Sequence, residues 1–352
     1  MFVSKKQRWT ALAFLAFSTG AVTAADITWT GTAGDSSFST PGNWSGNAVP
    51  GAGDNVLVGP DPLVPNLIGL TGNIVRPVST MTFLATAGAY TITGDGAGNA
   101  LQFNATGTAL ANDSASRQEF SNLLVQAGAT QTWDGKVNGF TFNQVSLGTG
   151  NIVTFSGAGI TGTTRNEILG TVSSFPGSNA GITKSGAGVL YIGPGATMTY
   201  DGPTTLTEGT LLLGGSNALP NASKLVLTGG TFDLAGFDET AGKLMLGGNA
   251  TINFGVSNTA DLVFDASQLE SWGAFTLNIQ NFDPGQDSLR FGTSAAGLDA
   301  LQLAKIVFNG GTEAQIDANG FVTPVPEPSA ALLLGLGAVS LGSFRRRRAA
   351  TV

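Results

Sequence analysis

The chain has no cysteine and no histidine in 352 residues. The first absence removes disulfide staples, thiolate nucleophiles and cysteine zinc ligands. The second removes Ser-His-Asp triads, histidine general bases, most zinc sites and haem ligation through imidazole. Any catalysis must then rest on carboxylates, Arg, Lys or Tyr, and no cofactor is expected. Charged residues are scarce at 11%, while glycine is abundant at 51 residues. Long helices want Ala, Leu, Glu, Lys and Arg without glycine, so this composition predicts short strands and tight turns throughout.

Long apolar runs are also missing, and the two that exist lie at the chain ends. Lys5, Lys6 and Arg8 precede an apolar stretch over 11–17, and Val22-Thr23-Ala24 offers small residues for cleavage. That order predicts a secretory signal peptide over 1–24, read by the Sec translocon, with a mature chain beginning at Ala25. At the other end, Pro326-Glu327-Pro328 leads into sixteen apolar residues over 329–344, closed by Arg345, Arg346, Arg347 and Arg348. The apolar run can enter a bilayer, whereas the arginines stay on the cytoplasmic side. The run is shorter than the ~20 residues that span comfortably, which favours transient residence in the inner membrane.

The ordered set of tripeptide, apolar span and arginine cluster resembles the PEP-CTERM sorting signal of Gram-negative bacteria. The resemblance covers 326–352 and implies a transmembrane helix over 329–344 and a membrane processing enzyme, exosortase, as partner. It implies export, tethering during sorting, and delivery to the cell surface or extracellular matrix. A permanent anchor with a positive-inside flank is the alternative for the same residues.

Of the 16 basic residues, three lie in the leader and four in the tail; one of the 23 acids lies in the tail. Residues 25–325 therefore hold nine basic and 22 acidic side chains, a net charge of −13. Such a surface repels nucleic acid and gains nothing from anionic lipid.

Within 25–80, Trp29 and Trp44 are expected to pack over the open end of a strand stack, an N-terminal cap, in preference to stacking on a sugar ring. From Met81 onward, strand-length apolar pieces alternate with Gly, Asn and Asp clusters, the pattern of an all-β fold. The register becomes measurable near residue 181. Gly188-Val189-Leu190-Tyr191-Ile192-Gly193 aligns with Gly209-Thr210-Leu211-Leu212-Leu213-Gly214, then with Gly230-Thr231-Phe232-Asp233-Leu234 and Ala250-Thr251-Ile252-Asn253-Phe254. A second strand family interleaves at Leu206, Leu225-Val226-Leu227 and Leu244-Met245-Leu246. A period of ~20–21 residues with two or three strands per period predicts a parallel β-solenoid over 81–255.

Residues 182–190 with Thr204-Thr205, Glu208-Gly209-Thr210-Leu211 and Leu213-Gly214 are similar to the autotransporter-associated β-strand repeat. The likeness implies a right-handed parallel β-helix in an exported protein. After Gly255 that register is lost, and 256–325 reads as a mostly-β capping region. One short helix is expected at 297–305, where Leu298, Leu301 and Gln302 have helical spacing.

Three patterns bear on chemistry. Gly157-Ala158-Gly159-Ile160-Thr161-Gly162 has dinucleotide-fingerprint spacing but no βαβ context, so it reads as loop glycine. Asp95 with Gly96-Ala97-Gly98-Asn99-Ala100-Leu101 faintly echoes a calcium-binding nonapeptide, and a single copy with Asn for Asp is a poor cation site. Asp233, Asp238, Glu239, Asp261 and Asp265 offer carboxylates for a β-helix polysaccharide lyase or glycosidase. Arg76, Arg117, Arg165 and Arg290 are scattered in sequence, and the acids are spread as a solubilising surface. The expectation is an exported, non-enzymatic surface or matrix protein associated with exopolysaccharide; the enzyme and a permanently anchored adhesin are the alternatives.

Overall fold

A computed structural model describes residues 24–326, apart from 61–65, 97, 163 and 257–258. Residues 1–23 of the expected leader, Glu327, Pro328, the expected membrane helix 329–344 and Arg345, Arg346, Arg347 and Arg348 lie outside the described residues. Among the described residues no helix is long and apolar enough to cross a membrane.

The backbone winds as a parallel β-solenoid with three faces. Among the described residues the first face has ten strands, from Asp26–Trp29 and Asn55–Val58 to Leu225–Leu227 and Leu244–Leu246, one per turn. The second begins with Leu67–Leu70 and Thr91–Gly94 and ends at Ile306–Phe308. The third starts with Val75–Val78, Ala100–Phe103 and Leu124–Ala127. The long strands Phe140–Leu147 and Asn166–Ser174 pass through the corner between the second and third faces and serve both. Farther along, the third face is Glu239–Ala241, Asp261–Phe264 and Ser288–Phe291.

Alternation within each strand sends every second side chain inward, because successive Cβ atoms point to opposite sides of a pleated strand. Register stacks those inward residues into columns. On the first face Val56, Met81, Leu110, Trp133 and Phe155 follow one another from turn to turn. All are fully buried, and each such apolar side chain is worth about 1.5–3 kcal/mol relative to exposure. Outward on the same face, Thr132, Thr154, Thr183 and Thr205 form a threonine ladder, where β-branched residues suit a half-exposed pleat.

The expected period of ~20–21 residues holds only locally. Val189 pairs with Thr210 and Thr210 with Thr231, 21 residues apart each time. Elsewhere turns lengthen: Asp26 pairs with Asn55 and Ile152 with Gly181, 29 residues apart. Parallel stacking also runs through Gly255, since Ala250 pairs with Leu277 and Leu277 with Ile306. Extra residues sit in the corner loops, which add length without disturbing the ladder. At the tight corner of the regular turns Gly209 and Gly230 take φ of +70° and +71°. A Cβ on Gly209 would lie 2.3 Å from the Gly188 carbonyl oxygen, so the turns approach too closely there for a side chain.

Both ends are covered. Trp29 and Trp44 are each 2% exposed and meet edge to face at 4.9 Å; Trp44 Nε1 donates to the Phe38 carbonyl at 2.7 Å. Neither ring is available to a sugar. At the C-terminal end Thr312–Ile316 pairs antiparallel with Ile306–Phe308, and Val322–Pro324 pairs antiparallel with Thr312–Ile316, covering the edge of the last parallel strand. The expected helix is the single turn Ala300–Leu303, opened by an Asp299–Gln302 capping box. Within it Gln302 is buried and Leu301 is 74% exposed, while Leu298 is buried just ahead of the helix. Gln302 Nε2 donates to the Ser267 and Glu270 carbonyls, and Trp272 Nε1 donates to Leu244 O, so this segment closes over the last strand of the first face.

Candidate functional site on the third face

Most ionisable groups singled out from the sequence have structural duties. Glu239 is 1% exposed. Its carboxylate accepts the N–H of Ala218 at 2.7 Å and of Leu219 at 3.3 Å. Burial pushes its pKa up to about 7, against the downward pull of those backbone donors. Lys184 occupies an inward position between Phe155 and Leu206 on neighbouring turns. Its ammonium donates to the carbonyls of Ser185 and Gly186, both at 2.6 Å, and of Glu208 at 3.1 Å. Three donors meet three acceptors, and burial lowers the pKa to about 8.

Asp233 points outward on the second face, where its Oδ1 accepts the N–H of Ala235. Asp238 Oδ1 accepts the Asp261 N–H at 2.9 Å, and Asp261 in turn accepts from Ser288. The Asp265 N–H donates to Gly242 O. No group of three or more acidic side chains that could hold a metal occurs among the described residues.

Two arginines read as scattered are brought together. Arg117 and Arg165 both pair with Glu167, at 2.9 and 3.0 Å, and the Arg165 guanidinium lies 3.7 Å from the centre of the Tyr191 ring. Arg117 also donates to Gly162 O at 2.6 Å, which ties down the glycine loop 157–162. This cluster spans several successive turns of the second face; its hydrogen-bonding groups are already engaged with one another. Arg76 bonds Ser39 beside the N-terminal cap, and Arg290 lies 5.8 Å from the Phe321 ring.

The third face is different in kind. Gln102, Gln126, Ser146 and Ser173 stand in one outward row across successive turns. Gln144, Thr171 and Thr197 stand in the next row. Neighbouring turns are ~4.8 Å apart and neighbouring rows ~7 Å, so these groups form a grid of amides and hydroxyls. None of them carries charge. Two clefts flank the grid. One, of about 270 Å³, is walled by Asp95, Asn99 and Asn122 and reaches Gln144. Asp95 accepts from Asn99 and Gly72 there, so the carboxylate is committed to its loop. The other, of about 300 Å³, lies between Gln102, Gln126 and Ser146 on its floor and Asn151 and Phe175 on its wall. Sequence spacing hid this face, because its rows are set by turns of 20 to 27 residues without a repeated motif.

Of the residues expected at the processing sites, Ala24, Ala25 and Pro326 are among those described. Ala24 and Ala25 are exposed, and the Ala25 carbonyl accepts from Asn55 N–H at 2.8 Å. Pro326 is the last described residue and is exposed.

Residues 324–348 match the PEP-CTERM protein-sorting motif. Neither a curated protein nor a solved structure matches the chain.

Proposed function

We propose that this chain is an exported, non-enzymatic rod with a structural or adhesive role at the cell surface or in the extracellular matrix, in association with exopolysaccharide. One observation carries the reading: the sorting motif is joined directly to a capped β-solenoid. The match begins at Pro324, which is also the last residue of the strand Val322–Pro324 in the C-terminal cap. The motif implies exosortase-dependent export and membrane-associated sorting to the surface of a Gram-negative bacterium.

In this reading the Sec translocon exports the chain and the leader is removed after Ala24. Residues 329–344 occupy the inner membrane transiently while the four arginines remain cytoplasmic. The winding is right-handed, as parallel crossover connections generally are, and the likeness of 182–214 to the autotransporter-associated repeat belongs to the same picture. The inward burial of Glu239 and Lys184 supports a scaffold, since both are consumed by backbone groups. Mass spectrometry of surface-exposed protein tests the proposal. Loss of residues 345–348, dependent on the cell's exosortase, is the expected result. Surface protein that retains all four arginines overturns sorting-linked processing.

A further inference from the structure

The stretch of the third face between residues 100 and 197 stands out because the exported chain is strongly acidic and the outward rows of this stretch are not. Residues 25–325 carry 22 acidic side chains, yet the outward rows through Gln102 and Gln144 carry no charge: amides and hydroxyls at Gln102, Gln126, Ser146, Ser173, Gln144, Thr171 and Thr197, and the uncharged Pro77, Val75, Ala100 and Leu124 on the earlier turns. Charge would keep such a surface solvated and unoccupied; neutral polar groups in a walled cleft suit a neutral polar ligand. Among the described residues, the carboxamides of Gln102 and Gln126 have no hydrogen-bond partner although they sit in register on adjacent turns. A carboxamide offers a donor and an acceptor side by side, which matches a pair of neighbouring hydroxyls.

The cleft wall adds an aromatic ring. Phe175 is 71% exposed, at the start of the turn Phe175-Pro176-Gly177-Ser178. Proline follows it, Gly177 has φ of +76°, and the Ser178 N–H donates to Phe175 O at 3.1 Å. These are the residue preferences of a type II turn. Ser174 and Ser178 on either side both donate to Asp201. The ring is therefore held outward on a braced turn, so little ordering cost remains for a ligand to meet. An exposed aromatic face beside free amides suits a sugar ring, whose C–H face is apolar and whose edge is hydroxylated.

We infer that the cleft formed by Gln102, Gln126, Ser146 and Phe175 binds a neutral polysaccharide strand lying along the solenoid axis. The axial direction follows from the row itself, which presents one polar group per turn. The inference rests on the exopolysaccharide association proposed above and gives it a place and a charge class.

The test is native affinity electrophoresis of the full chain in gels containing laminarin, dextran or galactomannan, with alginate as the anionic counterpart. Retardation by at least one neutral polysaccharide is expected. The double variant Gln126→Ala, Phe175→Ala should weaken it at least tenfold, and Phe175→Leu alone should weaken it too, because the ring and not apolarity is needed. Thr183→Ala with Thr205→Ala on the first face should change nothing. All these side chains point outward, and unchanged circular dichroism and melting temperature will show that each variant folds. Equal retardation of the Gln126, Phe175 variant overturns the site while leaving polysaccharide association standing. Retardation by alginate alone does the same. Failure of every polysaccharide to retard the wild-type chain overturns both and leaves the face to a protein partner.

Discussion

Glu239 receives the Ala218 N–H at 2.7 Å from the preceding turn, at the one point where the third face lacks a strand between Thr197–Met198 and Glu239–Ala241. A carboxylate there does the work of a strand edge, accepting the N–H groups of Ala218 and Leu219 from inside the rod. Its pKa is raised by burial from 4.5 to about 7. Between those values the folded chain holds a proton that the unfolded chain has released. Stability from this group is therefore greatest below pH ~4.5, falls as pH rises to about 7, and is level above. The full span is on the order of 3 kcal/mol. Glu239→Gln should flatten that part of the profile in urea unfolding measured from pH 4 to 8, with the difference between the two proteins largest at the alkaline end. Parallel profiles would show that Glu239 is not the titrating group.

Lys184 gives the opposite slope. Its pKa is lowered by burial to about 8, so between 8 and its ordinary 10.5 the unfolded chain holds the extra proton and stability rises with pH. Replacing it with Met keeps the volume but strands three carbonyls, those of Ser185, Gly186 and Glu208. Lys184→Met should cost about 2–4 kcal/mol at pH 7, since each buried acceptor left unpaired costs about 1–3 kcal/mol and some will find water. Hydrogen exchange should show the loss centred on the turns 181–192 and 204–213. Uniform loss of protection along the rod would contradict a local corner role.

Gly209 tests how tightly the turns approach. Its φ is +70° and an added Cβ would meet the Gly188 carbonyl oxygen at 2.3 Å and the Gly186 carbonyl oxygen at 2.4 Å. Gly209→Ala should destabilise by about 1–3 kcal/mol through backbone displacement, added to about 1 kcal/mol for the left-handed conformation. Gly195→Ala is the comparison: φ is +75° and no atom lies within 4 Å of the added Cβ, so only the conformational cost remains. Equal melting temperatures for the two variants would refute the close approach.

Those glycines also mark how far the fold could be read from the chain. The alignment of Leu190 with Leu211, Phe232 and Ile252 is the observed inward column of the second face. Leu206, Leu227 and Leu246 form the matching column on the first. Regular spacing was visible there because those corners are short. Asn166 to Leu190 and Ile152 to Gly181 are pairings of the same kind, but loops of unequal length between them leave no constant period to detect. The same irregularity dispersed Arg117, Glu167 and Arg165 in sequence while the winding set them side by side. The third-face amides were illegible for a further reason. Gln102, Gln126 and Gln144 are ordinary solvent-facing residues one at a time, and their meaning comes only from register.

Trp44 protects more than its own packing. It lies against Trp29 and Phe38, with ring centres 4.9 and 4.8 Å away, and its backbone bridges Trp29 in antiparallel fashion at the start of the first face. Among the described residues the first face has no strand beyond Asp26–Trp29, so this is the edge where another chain could add. Trp44→Ala should cost about 3–5 kcal/mol locally through the cavity it leaves, and the loosened cap should uncover the edge. An uncovered strand edge templates pairing with another chain. The variant should therefore form concentration-dependent oligomers in sedimentation velocity while the central turns keep their exchange protection. Trp44→Phe, which retains much of the ring, should remain closer to wild type. A Trp44→Ala protein that stays monomeric at every concentration, with an intact far-UV spectrum, would show that the tryptophan fills space without guarding the edge.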